Sequence, residues 1–213
     1  MTTKQVETWS GEFGRAYTER NRFRDQQAFN QLYLDRYGRT RDDIYGDWLK
    51  DIPRDAAILE IGANIGNQLA TLKRLGFTRL SGLEIQRYAI EESKKLYSGL
   101  DIILGSGLDI PFKDGQFDLV FTNNVLIHIS PRDLPRMLSE IHRVSRSRIL
   151  GFEYFAPEIV EISYRGHQDL LWKADYSRLY RNAHTDLIVE REQQFPCLDE
   201  PGNVDNLFLL KKL

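Results

Sequence analysis

The residues best suited to chemistry lie in a short run that starts with an acidic side chain and continues through a tight turn. Glu60 is followed by Gly62, Asn64 and Gly66, and a second acidic residue, Glu84, follows roughly 20 residues later. The glycines allow the backbone to turn sharply and to approach a ligand closely, and asparagine tolerates the left-handed conformation. A carboxylate at the later position is suited to accept hydrogen bonds from a ribose diol. The pattern therefore predicts a site for a nucleoside cofactor.

The charge of this turn indicates which nucleoside fits. A dinucleotide needs three glycines so that its pyrophosphate can rest on a helix N-terminus, but here Asn64 replaces the middle glycine and the third is absent. The carboxylate of Glu60 repels phosphates, whereas it attracts a ligand that carries an ammonium and a sulfonium group. S-adenosylmethionine carries both groups. We therefore expect it as the cofactor.

The elements that must position these residues follow from the alternation of strand-like and helical segments after Asp55. Such alternation is typical of a doubly wound, mostly parallel sheet of the Rossmann-like α/β class. The last two strand-like segments are separated by the turn-rich residues 196–203 and are expected to pair as an antiparallel C-terminal hairpin. The predicted seven strands are residues 57–61, 80–85, 101–104, 117–122, 148–154, 186–194 and 204–211.

Residues 1–54 form a polar, helical extension in this interpretation, and residues 55–213 form the cofactor-binding domain. One aromatic stripe in the extension has helical spacing and is expected to join the core rather than a substrate cage; it comprises Phe29, Leu32, Tyr33 and Tyr37. Trp9, Phe13 and Tyr17 are four residues apart, which predicts one face of a single helix within Glu7–Asn21. That helix is either a lid over the cofactor or a packing helix.

Composition excludes several classes of protein. Lys and Arg total 29 and Asp and Glu total 31, for a net charge of −2, so no global field attracts nucleic acid. The arginines between Arg15 and Arg41 alternate with acidic residues and predict a solvated surface. No apolar stretch is long enough to cross a membrane and no secretion signal is visible, so we expect a cytoplasmic location. The expected partner is a small-molecule substrate, without nucleic acid or membrane.

The cysteine and histidine residues give no metal-ligand pattern. The chain has 1 Cys and 4 His, and their scattered positions predict neither a disulfide nor a metal site. Cys197 is interpreted as a small apolar residue or as a reactive thiol. His128 follows an apolar run and is either a hydrogen-bonded core histidine or a general base.

Several motifs together resemble those of class I S-adenosylmethionine-dependent methyltransferases. They are ILEIGANIGN, SGLEI, LDIPFKDGQFDLVFTNNVLIHI and the closing hairpin, and the resemblance covers Asp55 to Leu213. A narrower resemblance, to the methylases associated with pseudaminic acid biosynthesis, rests on ETWSGEFGRAYTERN, TNNVLIHI and YRGHQDLLWKADY. The resemblance implies an enzyme that acts on a sugar or sugar-nucleotide intermediate of surface-glycan biosynthesis.

The resemblance also implies roles for individual residues in binding the cofactor. Glu60, Gly62, Asn64 and Gly66 match the loop around its methionine part, and Glu84 matches the acid on the ribose. Near the adenine, Ser106 replaces the acidic residue of many relatives, followed by a small residue and an apolar one. The full set predicted to bind the cofactor is Trp9, Tyr17, Glu60, Gly62, Asn64, Gly66, Glu84, Ser106, Gly107, Leu108 and Asn123.

The acceptor is expected to contact a polar, aromatic segment after the fifth strand, Tyr164–Tyr176. The alternative is that this segment is only a solvated helix. Asn123 and Asn124 match the position that faces the transferred methyl group, so they are expected to position the reacting groups. His167 or Asp175 is the expected base. The residues predicted to contact the acceptor are Tyr154, Tyr164, Arg165, His167, Trp172, Asp175 and Tyr176.

The predicted function is methyl transfer from S-adenosylmethionine to a small polar acceptor. Three alternatives stay open from the sequence: methylation of an amino acid or natural-product amine, another use of the same cofactor such as intramolecular displacement, and a cofactor-binding module without activity of its own. Turnover of labelled cofactor over a panel of acceptors distinguishes them.

Overall fold

A computed structural model describes residues 3–23 and 25–213, so residues 1, 2 and 24 of the predicted extension lie outside the described residues. The chain divides into two compact units. The first runs to Ser106 and includes Cys197–Pro201, and the second comprises Gly107–Pro196 and Gly202–Leu213. Among the described residues, no helix combines the length and the apolar character that a membrane span requires.

The first unit begins with four helices: α1 (Lys4–Ser10), α2 (Glu12–Arg20), α3 (Gln26–Tyr37) and α4 (Arg41–Trp48). A capping box starts α4, because the Thr40 side chain accepts from the backbone of Asp43 and the Asp43 side chain accepts from that of Thr40. Phe29 and Tyr33 on α3 are buried as expected, but the prediction is wrong for Leu32, which is 38% exposed, and Tyr37 is half-buried.

The prediction of one continuous helix through Glu7–Asn21 is wrong, because the chain turns at Gly11 between α1 and α2. The two helices pack so closely that a Cβ on Gly14 would lie 1.8 Å from the Trp9 carbonyl oxygen. The Trp9 ring still meets the rings of Phe13 and Tyr17, each at 5.3 Å between centroids and edge-on. The contacts among the three aromatic rings thus persist across the turn. They are possible because Gly11 and Gly14 have no side chains that would keep the two helices apart.

The sheet part of the first unit is parallel. It comprises β1 (Ala57–Ile61), α5 (Asn67–Arg74), β2 (Arg79–Glu84), α6 (Arg87–Leu96) and β3 (Asp101–Leu104). β2 pairs in parallel with both β1 and β3. Every residue of β1 is buried, as is typical of a strand with helices on both faces.

The second unit contains β4 (Phe117–Asn123), a short 3₁₀ helix (Leu126–His128), α7 (Leu134–Val144), β5 (Ser145–Tyr154), β6 (Val160–Glu161), β7 (Trp172–Lys173), α8 (Tyr176–Ala183), β8 (Leu187–Pro196) and β9 (Val204–Lys212). β4 pairs in parallel with β5, whereas β9 runs antiparallel to both β5 and β8. The apolar face of α7 is buried.

The strand directions agree with the prediction, including the antiparallel C-terminal hairpin. The seven strands concerned are β1, β2 and β3 in the first unit and β4, β5, β8 and β9 in the second. This confirms the predicted Rossmann-like fold with seven mostly parallel strands. The short hairpin β6–β7 was not predicted, because two-residue strands are too short to show periodicity.

Candidate active site

The glycine turn of the first unit connects β1 to α5 and has the strained backbone that its sequence predicts. Gly62, Asn64 and Gly66 have positive φ angles of 70°, 48° and 88°. The backbone N–H groups of Gly62 and Ala63 both donate to the carbonyl of Leu83, at 2.8 and 3.1 Å, and so attach the turn to β2. A side chain on Gly66 would also meet Leu100 Cδ1 at 2.8 Å. The turn is therefore fixed in shape, and its positive φ angles and the close packing at Gly66 favour glycine there.

Glu84, at the end of β2, binds two loops at once. Its Oε2 accepts from the backbone N–H of Asn64 and its Oε1 accepts from that of Gln86, each at 2.7 Å. Burial raises the pKa of Glu84, and these backbone donors oppose the rise. A carboxylate has about four lone-pair positions, so both oxygens retain acceptor capacity for a ribose diol. The position predicted for Glu84 is confirmed, but its ribose contact stays a prediction.

Glu60 is 2% exposed at the end of β1, and its Oε2 is buried without a hydrogen-bond partner among the described residues. The Oδ1 of Asn64 is in the same situation. Burial, and then the nearby charge of Glu84, raise the pKa of Glu60 well above its usual value, and Arg41 acts in the opposite direction. Two buried acceptor atoms of this kind suit a ligand with an ammonium group, which carries three donors.

Arg41 is a residue of this region that sequence reasoning missed. It is fully buried at the start of α4, with its guanidinium 3.8 Å from the centre of the Tyr33 ring and 4.8 Å from that of Tyr45. The prediction that the arginines from Arg15 to Arg41 are all solvated is therefore wrong for Arg41. Its sequence neighbours are polar, and the aromatic rings that surround it become visible only after folding.

The N-terminal helices are attached beside Glu84 through Gln86. The side-chain amide of Gln86 donates to the carbonyl oxygens of Trp9, Ser10 and Gly11, at 3.3, 3.0 and 2.9 Å. These carbonyls lie at the junction of α1 and α2, so one amide holds the junction against the residue that follows β2. Sequence reasoning missed Gln86, because no motif includes it. The available signal was its position two residues after Glu84, close to the carboxyl end of β2, where ligands bind in this class of fold.

Contacts along α2 strengthen the attachment. Arg15 lies over the Tyr88 ring at 4.6 Å, the Tyr88 hydroxyl donates to Glu19, and Arg22 pairs with Glu92 at 2.9 Å. At the end of α2, the Asn67 side chain donates to the Asn21 carbonyl at 3.2 Å. The predicted extension is thus docked on α6 and on the start of α5.

The residues predicted near the adenine follow β3. Ser106 is the last residue of the first unit before the chain passes into the second, and it is half-buried. In the second unit Gly107 is half-buried and Leu108 is buried. Their contact with adenine stays a prediction.

In the second unit, β4 ends at Asn123, and Asn124 follows in a left-handed conformation with φ of 54°. The backbone N–H of Asn124 donates to the Phe152 carbonyl at 2.9 Å, and its buried Oδ1 has no hydrogen-bond partner among the described residues. Asparagine is one of the few non-glycine residues that adopt this conformation readily. The role of Asn124 as a positioning residue stays a prediction.

Glu153 holds the segment after Asn124 in place, and sequence reasoning missed it. This fully buried residue of β5 accepts from the backbone N–H of Val125 at 3.0 Å and of Ile127 at 3.4 Å. Burial raises the pKa of Glu153 to about 7, although the Thr122 side chain and the backbone donors oppose it. Within an apolar strand a glutamate is expected at the surface, so the sequence offered no sign of its burial.

The predicted acceptor segment is not a helix. Tyr164 and His167 exchange backbone hydrogen bonds of 2.9 and 3.0 Å, and the two residues between them, Arg165 and Gly166, have positive φ angles of 52° and 80°. Such a two-residue turn presents its side chains outward. Arg165 and His167 are exposed and Tyr164 is half-buried, so these three are accessible to a ligand.

Three of the other four predicted acceptor residues contribute to the fold. Trp172 and Tyr176 are only 6% and 2% exposed, and the Tyr176 hydroxyl donates to the Trp172 carbonyl at 3.0 Å. Asp175 caps α8, because its side chain accepts from the backbone N–H of Arg178 at 2.9 Å. Tyr154 ends β5 and is half-buried. Trp172 and Tyr176 are therefore not surface residues, and contact of the seven predicted residues with the acceptor stays a prediction.

His128 was expected to be either a hydrogen-bonded core histidine or a general base, and the structure supports the core histidine. It is buried, and its Nδ1 lies 2.7 Å from the Leu170 carbonyl, to which it must donate because a carbonyl only accepts. Burial lowers the pKa of His128 to about 4. Cys197 is likewise buried, as expected for a small apolar residue.

Comparison with known proteins agrees with this arrangement. The family model described as a methyltransferase domain matches residues 59–148. An uncharacterised methyltransferase of Synechocystis is 30% identical over 87 residues, and the match spans 41% of the chain and 41% of that relative. The region matched by the family model contains the glycine turn, Glu84 and the two asparagines.

Two solved structures share the fold. Magnesium protoporphyrin IX methyltransferase from Synechocystis, solved with bound S-adenosylmethionine, has a TM-score of 0.70 at 13% identity, covering 100% of this chain and 99% of its own. The 1,6-didemethyltoxoflavin-N1-methyltransferase of Burkholderia thailandensis, solved with its substrate and S-adenosylhomocysteine, has a TM-score of 0.65 at 17% identity, covering 81% and 76%. At these identities the likeness establishes the fold, and the methyltransferase family model matches residues 59–148, within the predicted cofactor-binding domain.

Proposed function

We propose that this chain, with its methyltransferase domain at residues 59–148, transfers the methyl group of S-adenosylmethionine to a small polar acceptor. The observation that carries the proposal is the acidic half-site of the first unit: Glu60, the strained turn at Asn64, and Glu84 bonded to that turn. Arg41 lies close enough to act on Glu60, but it is buried against the rings of Tyr33 and Tyr45, and two carboxylates stand against this one guanidinium. The charge of the half-site suits a cationic nucleoside.

The residues present fit that cofactor. The buried, unpartnered Oε2 of Glu60 and Oδ1 of Asn64 are acceptors for an ammonium group. The remaining lone pairs of Glu84 accept from the ribose hydroxyls. Trp9 and Tyr17, held near Glu84 through the bonds of Gln86 to the junction of α1 and α2, would cover the cofactor as a lid.

The chemistry requires alignment more than activation. When bound, the cofactor supplies a methyl group on a sulfonium, which leaves as a neutral thioether. The chain therefore has to hold the acceptor atom in line with that methyl group and exclude water. Asn123 and Asn124 position the reacting groups. His167, or else Asp175, accepts the proton where the acceptor group is a hydroxyl, or an amine that binds as its ammonium and must lose a proton before it attacks the methyl group.

A sugar or sugar nucleotide is the acceptor that the second unit supports best. The exposed turn presents a tyrosine ring at Tyr164, a guanidinium at Arg165 and an imidazole at His167. A guanidinium binds phosphate oxygens in a bidentate manner, and an aromatic ring can pack against the apolar face of a sugar. The narrower resemblance, to methylases of pseudaminic acid biosynthesis, suggests the same class of acceptor.

The test combines binding and turnover. Calorimetry should detect binding of S-adenosylhomocysteine and no binding of NAD, because the acidic turn repels a pyrophosphate. Transfer of a labelled methyl group is then measured over sugars, sugar nucleotides, amino acids and amines. Transfer to an amine would replace the sugar proposal, and tight cofactor binding without transfer to any acceptor would favour the module without activity. Failure to bind the cofactor would overturn the proposal altogether.

A further inference from the structure

Three metal-binding side chains of the second unit converge although they are far apart in the sequence. They are His142 near the end of α7, His184 directly after α8, and Asp186 directly before β8. One ligand atom from each lies within 4.8 Å of the other two. The Nε2 of His142 is 3.0 and 2.9 Å from the two carboxylate oxygens of Asp186. We call these residues the histidine cluster.

The two imidazole rings of the histidine cluster are stacked, 4.0 Å apart and 4° from parallel. The Nε2 of His184 is buried and has no hydrogen-bond partner among the described residues. A buried nitrogen without a partner is costly, and a cation is one partner that would satisfy it. The contact between His142 and Asp186 does not provide a partner for the buried Nε2 of His184.

From this geometry we infer that His142, His184 and Asp186 form a binding site for a divalent transition-metal ion. Two imidazoles and one carboxylate are the ligands that zinc and its neighbours in the periodic table prefer. Distances of about 2.0–2.2 Å from the metal to each ligand require the ligand atoms to lie about 3.4 Å apart. His142 and Asp186 are already close enough, and a rotation of the His184 side chain brings in the third ligand without breaking a hydrogen bond of its Nε2.

The cation Lys212 is the neighbour that opposes metal binding. Its ammonium donates to the carbonyls of His142 and Ser145, at 2.6 and 2.8 Å, and it interacts with Asp186. These two carbonyls fix the position of the ammonium and take up part of its charge. Lys212 therefore weakens the site without occupying its ligand atoms.

The site is separate from the residues proposed for methyl transfer in the second unit. Lys212 and the histidine cluster lie near Ser145, where β5 begins, whereas Tyr154 is where β5 ends. The 10 residues of β5 span about 30 Å. A metal ion here would join α7, the end of α8 and the start of β8. Its expected effect is therefore on stability rather than on the reaction.

Metal binding can be measured directly on the full-length chain without a histidine tag. After treatment with a chelator, the wild type should bind one equivalent of Zn²⁺ by calorimetry and give a visible absorption band with Co²⁺. Saturating Zn²⁺, at about 100 times the Kd, should raise the Tm by roughly 5 to 10 °C. The proposal fails if the wild type shows no stoichiometric binding.

Variants locate the bound ion. His184→Gln should fold normally because the Nε2 of His184 has no partner to lose, and it should weaken Zn²⁺ binding about tenfold or more. Asp186→Asn should do the same, and both should lose the rise in Tm. His167→Ala removes an imidazole elsewhere and should bind Zn²⁺ as the wild type does. Equal affinity in wild type and His184→Gln, or a loss in His167→Ala, would overturn the assignment.

Discussion

The carboxylate of Glu84 accepts a hydrogen bond of 2.7 Å from the backbone N–H of Asn64. This bond joins the end of β2 to the strained turn after β1, and the second oxygen of Glu84 holds the backbone of Gln86 in the same manner. The predicted ribose acid therefore also determines the shape of the turn. Ligand binding and loop geometry depend on one buried side chain.

Replacing Glu84 by Ala should weaken cofactor binding strongly. The variant loses charge-assisted hydrogen bonds to the ribose and the bond that fixes the turn, with an expected cost of about 2 to 4 kcal/mol in binding free energy. Calorimetry with S-adenosylhomocysteine measures it. Glu91→Ala, which removes an exposed carboxylate of α6, is the matched control and should bind normally. Unchanged affinity of Glu84→Ala would exclude the ribose role.

Binding of the cofactor should release a proton from Glu60. Burial raises the pKa of Glu60 well above its usual value, so this carboxyl is protonated over a wider pH range than a solvated one. A bound cation lowers that pKa, hence affinity should rise with pH until the free carboxyl is ionised. Calorimetry in phosphate and in Tris, which have different ionisation enthalpies, detects the proton. Equal binding enthalpies in the two buffers, or the same difference in Glu60→Gln, would contradict the prediction.

Gln86→Ala should loosen the N-terminal helices. It removes three hydrogen bonds from the side-chain amide to the junction of α1 and α2. Hydrogen exchange in α1 and α2 should accelerate, because each lost bond stabilises by about 1 kcal/mol. Arg87→Ala, an exposed neighbour, is the control. If exchange accelerates and cofactor affinity falls, the helices act as a lid; faster exchange with unchanged affinity would make them packing helices.

Glu153 should make the protein less stable as the pH rises. Its pKa is about 7 in the folded state against 4.5 for a solvated glutamate, so between these values the folded state holds a proton that the unfolded state has lost. The folded state then binds more protons, and the free energy of unfolding falls with rising pH, by about 3 kcal/mol in all. Above pH 7 the loss is complete.

Urea unfolding of the wild type and Glu153→Gln from pH 4.5 to pH 8 tests this contribution. The variant carries no titratable group at this position, so its stability should exceed that of the wild type increasingly as the pH rises. Glu158→Gln, with an 81% exposed side chain, is the control and should follow the wild type. If the free energy of unfolding changes with pH in the same way in the wild type and in Glu153→Gln, burial does not shift the pKa of Glu153.

His167→Ala should reduce methyl transfer by about a hundredfold or more while cofactor affinity stays within a few-fold, the scale expected for loss of a base or a key positioning group. Its pH profile separates the two roles, because loss of one limb indicates a base and a uniform drop indicates positioning. Asp175→Asn is the companion variant, since asparagine caps a helix as well as aspartate. A hundredfold loss there, with normal stability, would move the base to Asp175; full activity in both would exclude the turn from the reaction.

The sequence predicted the strands and the cofactor turn with boundaries within a few residues. β3 was predicted at 101–104 and is found as Asp101–Leu104, and β1 was predicted at 57–61 and is found as Ala57–Ile61. The bounds of these elements depend on neighbouring residues in the sequence, because a short apolar run bounded by glycine and polar residues favours a short buried strand. For the same reason the positive φ angles at Gly62, Asn64 and Gly66 were predictable from residue type.

The burial of individual residues in the acceptor segment could not be predicted, because residue type does not determine exposure. Trp172 and Tyr176 have the chemistry of a binding surface but are buried, whereas Arg165 and His167 are exposed on a turn. The tight turn depends on Arg165 adopting a conformation that arginine seldom adopts, which no local pattern indicates.

By itself, the sequence determined the fold class and the order of acid, turn and second acid, and it predicted the class of cofactor, because these depend on periodicity and on residues close together in the chain. Only the tertiary structure decided the burial of Arg41 and Glu153, the attachment of α1 and α2 by Gln86, and the meeting of His142 with Asp186. Each of these depends on contacts between residues that are distant in the chain. Such contacts set desolvation and pairing, which determine pKa and ligand-binding capacity, and they exist only after the chain has packed.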